Sequence, residues 1–399
     1  MDIQNSLAII KNSLATNINN FEEENVVSLK KPEQNELNNK NSEVGLNDNP
    51  FQVKEESKIS FPKLIKTSIR LMRPKRDSQL SHEIEDSVDL IKRVKKEIAK
   101  AVVGQEKTIN AFICALLCDG HVLLEGVPGI AKTLMVKSLA KASGCKVKRI
   151  QFTVDLLPSD ILGFTTYSPE KGMETIKGPI FANFLIADEI NRSPPKTQSA
   201  LIESMQEKQV TIARETYKLP LPFFVMANNN PLESSGVYDL PEAQVDRFLF
   251  KVLVGYPESS EREKKIMDVN MTLRKFESFN IKSVLSPEKI IEMQNIVKKV
   301  YMDEKVKDYI VKIVKKTRKK DFLHGEFIDW GASPRASIAL FISSKAWALM
   351  QGRDYVIPED IKKIIHFVLR HRIVLNYKAR AEGIDSDQII DEILKIVRI

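Results

Sequence analysis

Apolar positions change their period twice along this chain. Over residues 1–82 they stand singly among Asn and Ser, with an acidic run, FEEEN, and later a basic stretch from Lys66 to Arg76. A segment of that kind buries too little apolar surface to offset the entropy of ordering, so a disordered N-terminal extension is expected. A piece such as SLAIIKNSL can turn helical against a partner, and the basic stretch can touch nucleic acid or a membrane surface; a tail that does neither is the simpler reading. From His82 onward, EDSVDLIKRVKKEIAKAVVGQEKTINAFICALLCDG carries apolar residues at helical spacing, broken at Val103, Gly104 and Gln105. That predicts two helices and a tight turn. HVLLEG, FANFLIADE and PFFVMANNNP read as buried strands, and KTLMVKSLAKAS as a helix. GFTTYSPEKGMETIKGPIF and KQVTIARETYKLPLP read as hairpins, with turns at Glu170 to Gly172 and at Arg214 to Glu215. After GYPESSERE the pattern is strongly helical, with lysines on the outer faces, as expected of solvated helix surfaces. Strands and helices alternating over about 100–256 imply an α/β core with a parallel sheet, helices on both faces and a ligand at the carboxyl ends of the strands. The expected organisation is an extension over 1–82, an α/β core over 83–257 and an all-α lid domain over 258–399.

Composition adds little to this. The chain has 399 residues, 43% of them apolar, ordinary for a soluble protein of two or three domains. No window approaches the roughly 18 uninterrupted apolar residues needed to cross a bilayer, and MDIQNSLAIIKNS lacks a basic-then-apolar leader, so a cytoplasmic protein is expected. Cys114, Cys118 and Cys145 are too few and too badly spaced for a disulfide framework or a zinc site, and are expected as buried thiols. A net charge of +8 over this length is mild and reads as a solvated surface.

The chemistry begins at LLEGVPGIAKT. Gly126, Lys132 and Thr133 fit G-x-x-x-x-G-K-[ST], except that Ala131 stands where the second Gly belongs. A triphosphate needs converging backbone N–H groups, a helix N-terminus behind them and a cation on the β and γ groups. The loop Gly126, Val127, Pro128, Gly129, Ile130, Ala131, Lys132, Thr133, Leu134 can supply these: the glycines give freedom, Pro128 stiffens the turn, Lys132 is the cation and Thr133 can ligate Mg²⁺. The methyl of Ala131 is tolerable if φ is negative and costs about 1 kcal/mol or more if φ is positive. FANFLIADEINRSPP then delivers two acids at the end of a strand, Asp188 to hold Mg²⁺ through water and Glu189 to orient and polarise the attacking water. PFFVMANNNP ends in Asn228, Asn229 and Asn230; a neutral amide on a strand between the two acid-bearing elements can bond the γ-phosphate or its water, and Asn230 is the choice, with Asn228 and Asn229 competitive as mere turn residues. Arg247, in LPEAQVDRFLF, is expected at an edge from which it can reach a neighbour's phosphate. Arg335, in the first turn of the helix that starts at Pro334, stands at the wrong helix end for a cation and so calls for a local anion.

RIQFTVDLLPSDILGF, KGPIFANFLIADEINRSPPKTQSALIESMQEKQVTI, PFFVMANNNP, YDLPEAQVDRF and GASPRAS, in that order, closely resemble the MoxR family of AAA+ ATPases over about residues 85–395. The resemblance implies an AAA+ P-loop NTPase core and a helical lid. It makes Ala131 the family's own letter, Asp188 and Glu189 the Walker B acids, Asn230 the sensor 1 residue, Arg247 the arginine finger and Arg335 sensor 2, with Val103 and Gly104 lining the adenine pocket. ATP and Mg²⁺ are the implied cofactors. The hairpins become the helix 2 insert and the hairpin before sensor 1, facing the pore or axial face of a homo-oligomeric ring, a hexamer, and gripping a partner. The implied function is remodelling or activation of protein clients, von Willebrand factor A domain proteins, with metal-cofactor insertion. The chain departs from the family at Asn228 and Asn229, where a Thr-Gln pair is commoner, at Ser234 and Ser235, where Gln and Glu are usual, and in its long extension, to which no role carries over. A nucleic-acid motor is the competing class, but no aromatic-basic interleaving marks a stacking platform. A nucleotide-gated scaffold with little turnover is disfavoured by the complete pair of acids.

Overall fold

The computed structural model describes residues 78–399 apart from 128, 171, 230–237, 257–258 and 270–274. Most of the expected disordered extension, together with Pro128, Asn230, Ser234 and Ser235, lies outside the described residues. Helix α1 (Ser78–Ile98) begins inside the segment 1–82, because Leu80 packs on the core one turn before the buried Ile84, Ile91, Val94 and Ile98. Helix α2 (Glu106–Leu117) is buried on nearly every side and leads into β1 (Val122–Gly126), α3 (Lys132–Ala142) and β2 (Val147–Gln151). A short α4 (Pro158–Leu162) opens the first hairpin, β3 (Gly163–Ser168) and β4 (Gly172–Lys177). Strand β5 (Phe184–Asp188) and α5 (Pro195–Glu207) precede the second hairpin, β6 (Gln209–Ile212) and β7 (Glu215–Lys218). Its two-residue turn is Ala213–Arg214 rather than Arg214–Glu215, since Glu215 pairs with Ile212 and Ala213 takes the positive φ (55°) that such a turn requires. Strand β8 (Phe224–Asn229), the short α6 (Glu242–Val245) and β9 (Phe250–Val254) complete the α/β core.

The sheet is parallel throughout, in the order β2-β5-β8-β1-β9. Its central strands β5, β8 and β1 are buried on both faces along most of their length and therefore read as apolar runs, whereas the edge strand β2 is largely exposed. Phe184, Ile186, Phe224 and Met226 face α1 to α3 and the lid, while Leu185, Ala187, Val225 and Ala227 face α5 and the second hairpin. The strand carrying the asparagines thus lies between the strand of the two acids and the strand of the phosphate loop, the order that puts their carboxyl ends together.

The lid comprises α7 (Ser260–Val269), α8 (Pro287–Lys299), α9 (Glu304–Lys319), β10 (Ile328–Trp330), α10 (Pro334–Met350), α11 (Pro358–Leu369), β11 (Val374–Leu375), α12 (Tyr377–Ala381) and α13 (Ser386–Ile396). It is helical apart from the short antiparallel pair of β10 and β11. On α9, Val306, Tyr309, Ile310, Ile313 and Val314 face inward, leaving the lysines to water. Helices α8 and α10 pack on α1 and α2, so one apolar cluster runs through core and lid. Polar bonds tie the two together as well. Arg370 donates to the Lys251 carbonyl (2.9 Å), Arg372 to those of Asp246, Phe248 and Leu249 (3.1, 2.8 and 3.1 Å), and His371 Nε2 to that of Phe248 (3.1 Å). Cys114 is buried; Cys118 and Cys145 are half-buried, and burial pushes the Cys145 thiol up to about 12, so it is protonated and inert.

His121, just before β1, is a fully satisfied structural histidine. Its Nδ1 accepts from the Val225 N–H (3.1 Å) and its Nε2 donates to the Met205 carbonyl (3.0 Å). Burial lowers its pKa to about 4 against the opposing pull of the Met205 carbonyl and Asp119, with Lys208 adding a smaller lowering. Between about pH 6.5 and 4 the unfolded chain therefore binds a proton that the folded chain refuses, and stability falls as pH is lowered through that window. A drop of about 3 kcal/mol from this group is expected. Denaturant titrations at pH 7 and pH 4.5 on the chain and on His121→Gln check it: the loss on acidification should be smaller in the variant, and equal losses would refute the assignment.

At the start of α3 the backbone answers the question posed by Ala131. Its φ is +63°, in the left-handed region where a Cβ is strained. Ala131→Gly should therefore raise unfolding free energy by about 0.5–1 kcal/mol despite glycine's greater chain entropy. A fall in the thermal midpoint would show that the methyl makes contacts worth more than the strain.

Candidate functional site

The carboxyl ends of β1, β5 and β8 surround a cavity of about 380 Å³ lined by Gly129, Ala131, Lys132, Thr133, Arg149, Gln151, Asp188, Glu189 and Asn228. The loop side is a cradle of backbone. Gly126 carries no Cβ because one would collide with the Val254 carbonyl of β9, and Gly129 adopts φ +84°. The first intrahelical bond of α3 runs from the Met135 N–H to the Ala131 carbonyl (3.0 Å), and no side chain caps the helix. The N–H groups of Lys132, Thr133 and Leu134 are therefore the orphan donors of a helix N-terminus, and the helix dipole adds to their pull on an anion. Lys132 folds back to donate to the Gly126 carbonyl. Partial burial lowers its pKa, while the carboxylates of Asp188, Glu125 and Glu189 raise it. These groups fit the phosphates of a nucleotide.

The acid side is a network. Asp188 is buried, its side chain 5% exposed. Its Oδ1 accepts from Asn228 Nδ2 (2.6 Å) and its Oδ2 is paired with Arg149 Nε. Asn228 Oδ1 in turn accepts the Glu189 N–H (2.6 Å), which helps hold Glu189 at φ +58°. The Glu189 carboxylate accepts from Gln151 Nε2 (2.8 Å) and Arg192 Nε (2.9 Å), and Arg149 Nη2 bonds Gln151 Oε1 (3.0 Å). Among the described residues no three His, Cys, Asp or Glu side chains cluster as a metal cage. One buried carboxylate and a loop threonine facing a phosphate cradle are instead the donor set that suits Mg²⁺, which keeps several waters and takes its remaining ligands from phosphates.

Lys132, Thr133, Asp188 and Glu189 thus line one cavity. Asn230 lies outside the described residues, but Asn228, which the sequence leaves open between a turn residue and a phosphate-bonding amide, is buried and bridges the two acids. Arg149, Gln151 and Arg192 were missed. Arg149 and Gln151 sit two apart on β2, and Gln151 is in register with Asp188 on β5; alternation puts them on one face, but only the strand order puts that face beside the acids. Val103, Gly104, Arg247 and Arg335 do not line the cavity. The Arg262 side chain packs over Gly104. Arg247 was expected at an exposed edge but is half-buried, with no partner for its Nε among the described residues. Arg335 does have a local anion: its Nη1 lies 3.4 Å from Asp246 Oδ2, and the Ser333 cap (3.0 Å) and Arg372 (2.7 Å) bond the same carboxylate.

Comparison with known proteins agrees with this geometry. Residues 121–250 match the ATPase family associated with various cellular activities (AAA), and residues 321–393 match the AAA lid domain. A crystal structure of an ATPase from Cytophaga hutchinsonii superposes with a TM-score of 0.74 at 46% identity, covering 80% of this chain and 97% of that one. Chaperone MoxR1 of Mycobacterium tuberculosis is 44% identical over 315 residues, 78% of this chain and 82% of its own length. Protein MoxR of Methylorubrum extorquens is 28% identical over 329 residues, 77% of this chain and 94% of its own. A phosphate cradle facing a pair of acids and an AAA lid on one chain, at these identities, show that it belongs to the MoxR family of AAA+ ATPases.

Proposed function

We propose that this ATPase works as a Mg²⁺-dependent homo-oligomeric ring, a hexamer, that spends ATP hydrolysis on remodelling or activating a protein client in the cytoplasm. The observation that carries the chemistry is the shared cavity of Lys132, Thr133, Asp188 and Glu189. Lys132 and the α3 N-terminus bind the β- and γ-phosphates. Thr133 and Asp188 hold the cation, which when bound neutralises charge on the transferring phosphoryl group. Glu189, fixed by Gln151, Arg192 and Asn228, receives the proton of the attacking water. Asn230 bonds the γ-phosphate or that water, and Val103 and Gly104 sit against the adenine. Arg247 reaches the γ-phosphate held by the neighbouring subunit, and Arg335, sharing Asp246 with the segment that bears Arg247, serves the same charge.

A protein client fits better than a nucleic acid because of the first hairpin. The register pairs Phe164 with Ile176 and Tyr167 with Met173, and all four side chains are exposed. Strand alternation puts one apolar pair on each face of the hairpin, and exposed apolar side chains of this kind suit a polypeptide. The relative from Mycobacterium tuberculosis is named a chaperone; with the family resemblance, that favours a von Willebrand factor A domain protein as client and metal-cofactor insertion as the outcome.

Lys132→Ala should lose ATP binding, whereas Glu189→Gln should bind ATP and hydrolyse it at least 10²-fold more slowly. Equal loss of binding in both would overturn the roles. Arg247→Ala should abolish turnover, a loss of roughly 10³ or more, with the subunit's ATP affinity intact. Mixing Arg247→Ala with Lys132→Ala subunits should restore some activity, because an intact finger then meets an intact loop at some junctions. Mixed rings that form and stay inactive would exclude action between subunits.

A further inference from the structure

We propose that Arg149 is a built-in stand-in for the divalent cation: it neutralises Asp188 while the site lacks metal, and it must leave when the metal binds. The proposal rests on the reading of Asp188 as the cation's carboxylate and adds a residue that competes for it. A carboxylate as buried as Asp188 needs a compensating charge. Asn228 supplies only a neutral amide to Oδ1, while the Arg149 guanidinium occupies Oδ2. A cation drawn to the same oxygen would meet that like charge a few ångströms away. The Arg149 side chain is 51% exposed, against 5% for Asp188, so the arginine has open solvent to swing into while the carboxylate stays fixed. Because the protein offers the metal so few ligands, displacement of one competing arginine weighs heavily in its affinity.

The departure has a second effect. Arg149 also holds Gln151, whose amide donates to Glu189. Arrival of the cation therefore loosens one end of a chain that restrains the Glu189 carboxylate. Arg149 is a positioning residue, acting through Asp188 and Gln151.

The test follows the thermal midpoint of the full chain with saturating ADP while MgCl₂ is titrated from a chelated start, which needs no turnover. Without metal, Arg149→Gln should unfold at a lower temperature than wild type. With metal the gap should narrow, and the half-saturating Mg²⁺ concentration should fall by roughly tenfold, the scale seen when residues around a metal's ligands are changed. Arg149→Lys keeps the charge beside Asp188 and should stay near the wild-type half-point, and this variant carries the test if Arg149→Gln folds poorly. Arg192→Gln removes the same charge from the Glu189 side, where it is paired with Glu189, and should leave the half-point within about twofold if the effect is local rather than a cavity-wide field. An unchanged half-point in Arg149→Gln would make Arg149 merely structural. A weaker ADP-induced shift would make it a nucleotide ligand. Either result overturns the proposal. An ADP response without any Mg²⁺ response in wild type would remove the reading of Asp188, and the proposal with it.

Discussion

The site is organised around one costly group, the buried carboxylate at the end of β5. Asp188 is delivered there by a strand whose five residues are all buried, and a charge in that position persists only if other groups compensate it. Everything that satisfies Asp188 is also what shapes the site. Asn228 reaches it because β8 is the next strand in the sheet, and its other amide end fixes the Glu189 backbone. Arg149 reaches it from β2 on the opposite side. The two neighbours of β5 thus hold its acids from either flank, and the phosphate loop, one strand further along, faces them across the cavity.

A second set of polar bonds attaches this machinery to the lid. Arg370, His371 and Arg372, at the end of α11, hold the carbonyls of Asp246, Phe248, Leu249 and Lys251 on either side of Arg247. Asp246 also receives Arg335 and Ser333 from the start of α10. Burial lowers the pKa of the His371 imidazole far below the ordinary histidine range, with the adjacent Arg372 charge pushing the same way, so the clamp adds only the arginines' charge. The segment of Arg247 is therefore bonded both to the first turn of α10, at Pro334, and to the end of α11.

Much of this was legible in the sequence because it is local. Apolar runs ending in Asp188-Glu189 and in the asparagines announce buried strands, and Gly126 to Thr133 announces the cradle within eight residues of chain. Arg335 at a helix N-terminus signals an anion before the anion is known, and Asp246 is that anion. What stayed hidden depends on strand order, which no local period encodes. Arg149 and Gln151 look like the polar face of an edge strand until β2 is set beside β5. Asn228 looks like a turn residue until β8 is seen between the two functional strands. The one-residue error in the second hairpin has a different origin: Ala213 accepts φ 55° without the glycine or asparagine that normally marks such a turn.

Ala131 and Glu189 share that left-handed geometry, and both line the cavity. Each conformation costs on the order of 1 kcal/mol or more, so each must be held by its surroundings. For Glu189 the holding bond is visible: its N–H is captured by Asn228, which is itself anchored on Asp188. If Arg149 yields Asp188 to a cation, this anchor stays in place while the bond from Gln151 to the Glu189 carboxylate weakens. The backbone of Glu189 would then remain strained and fixed as its side chain gains freedom. A rigid backbone with a released carboxylate would suit proton transfer, and it would tie hydrolysis to cation binding through residues on and beside adjacent strands of one sheet.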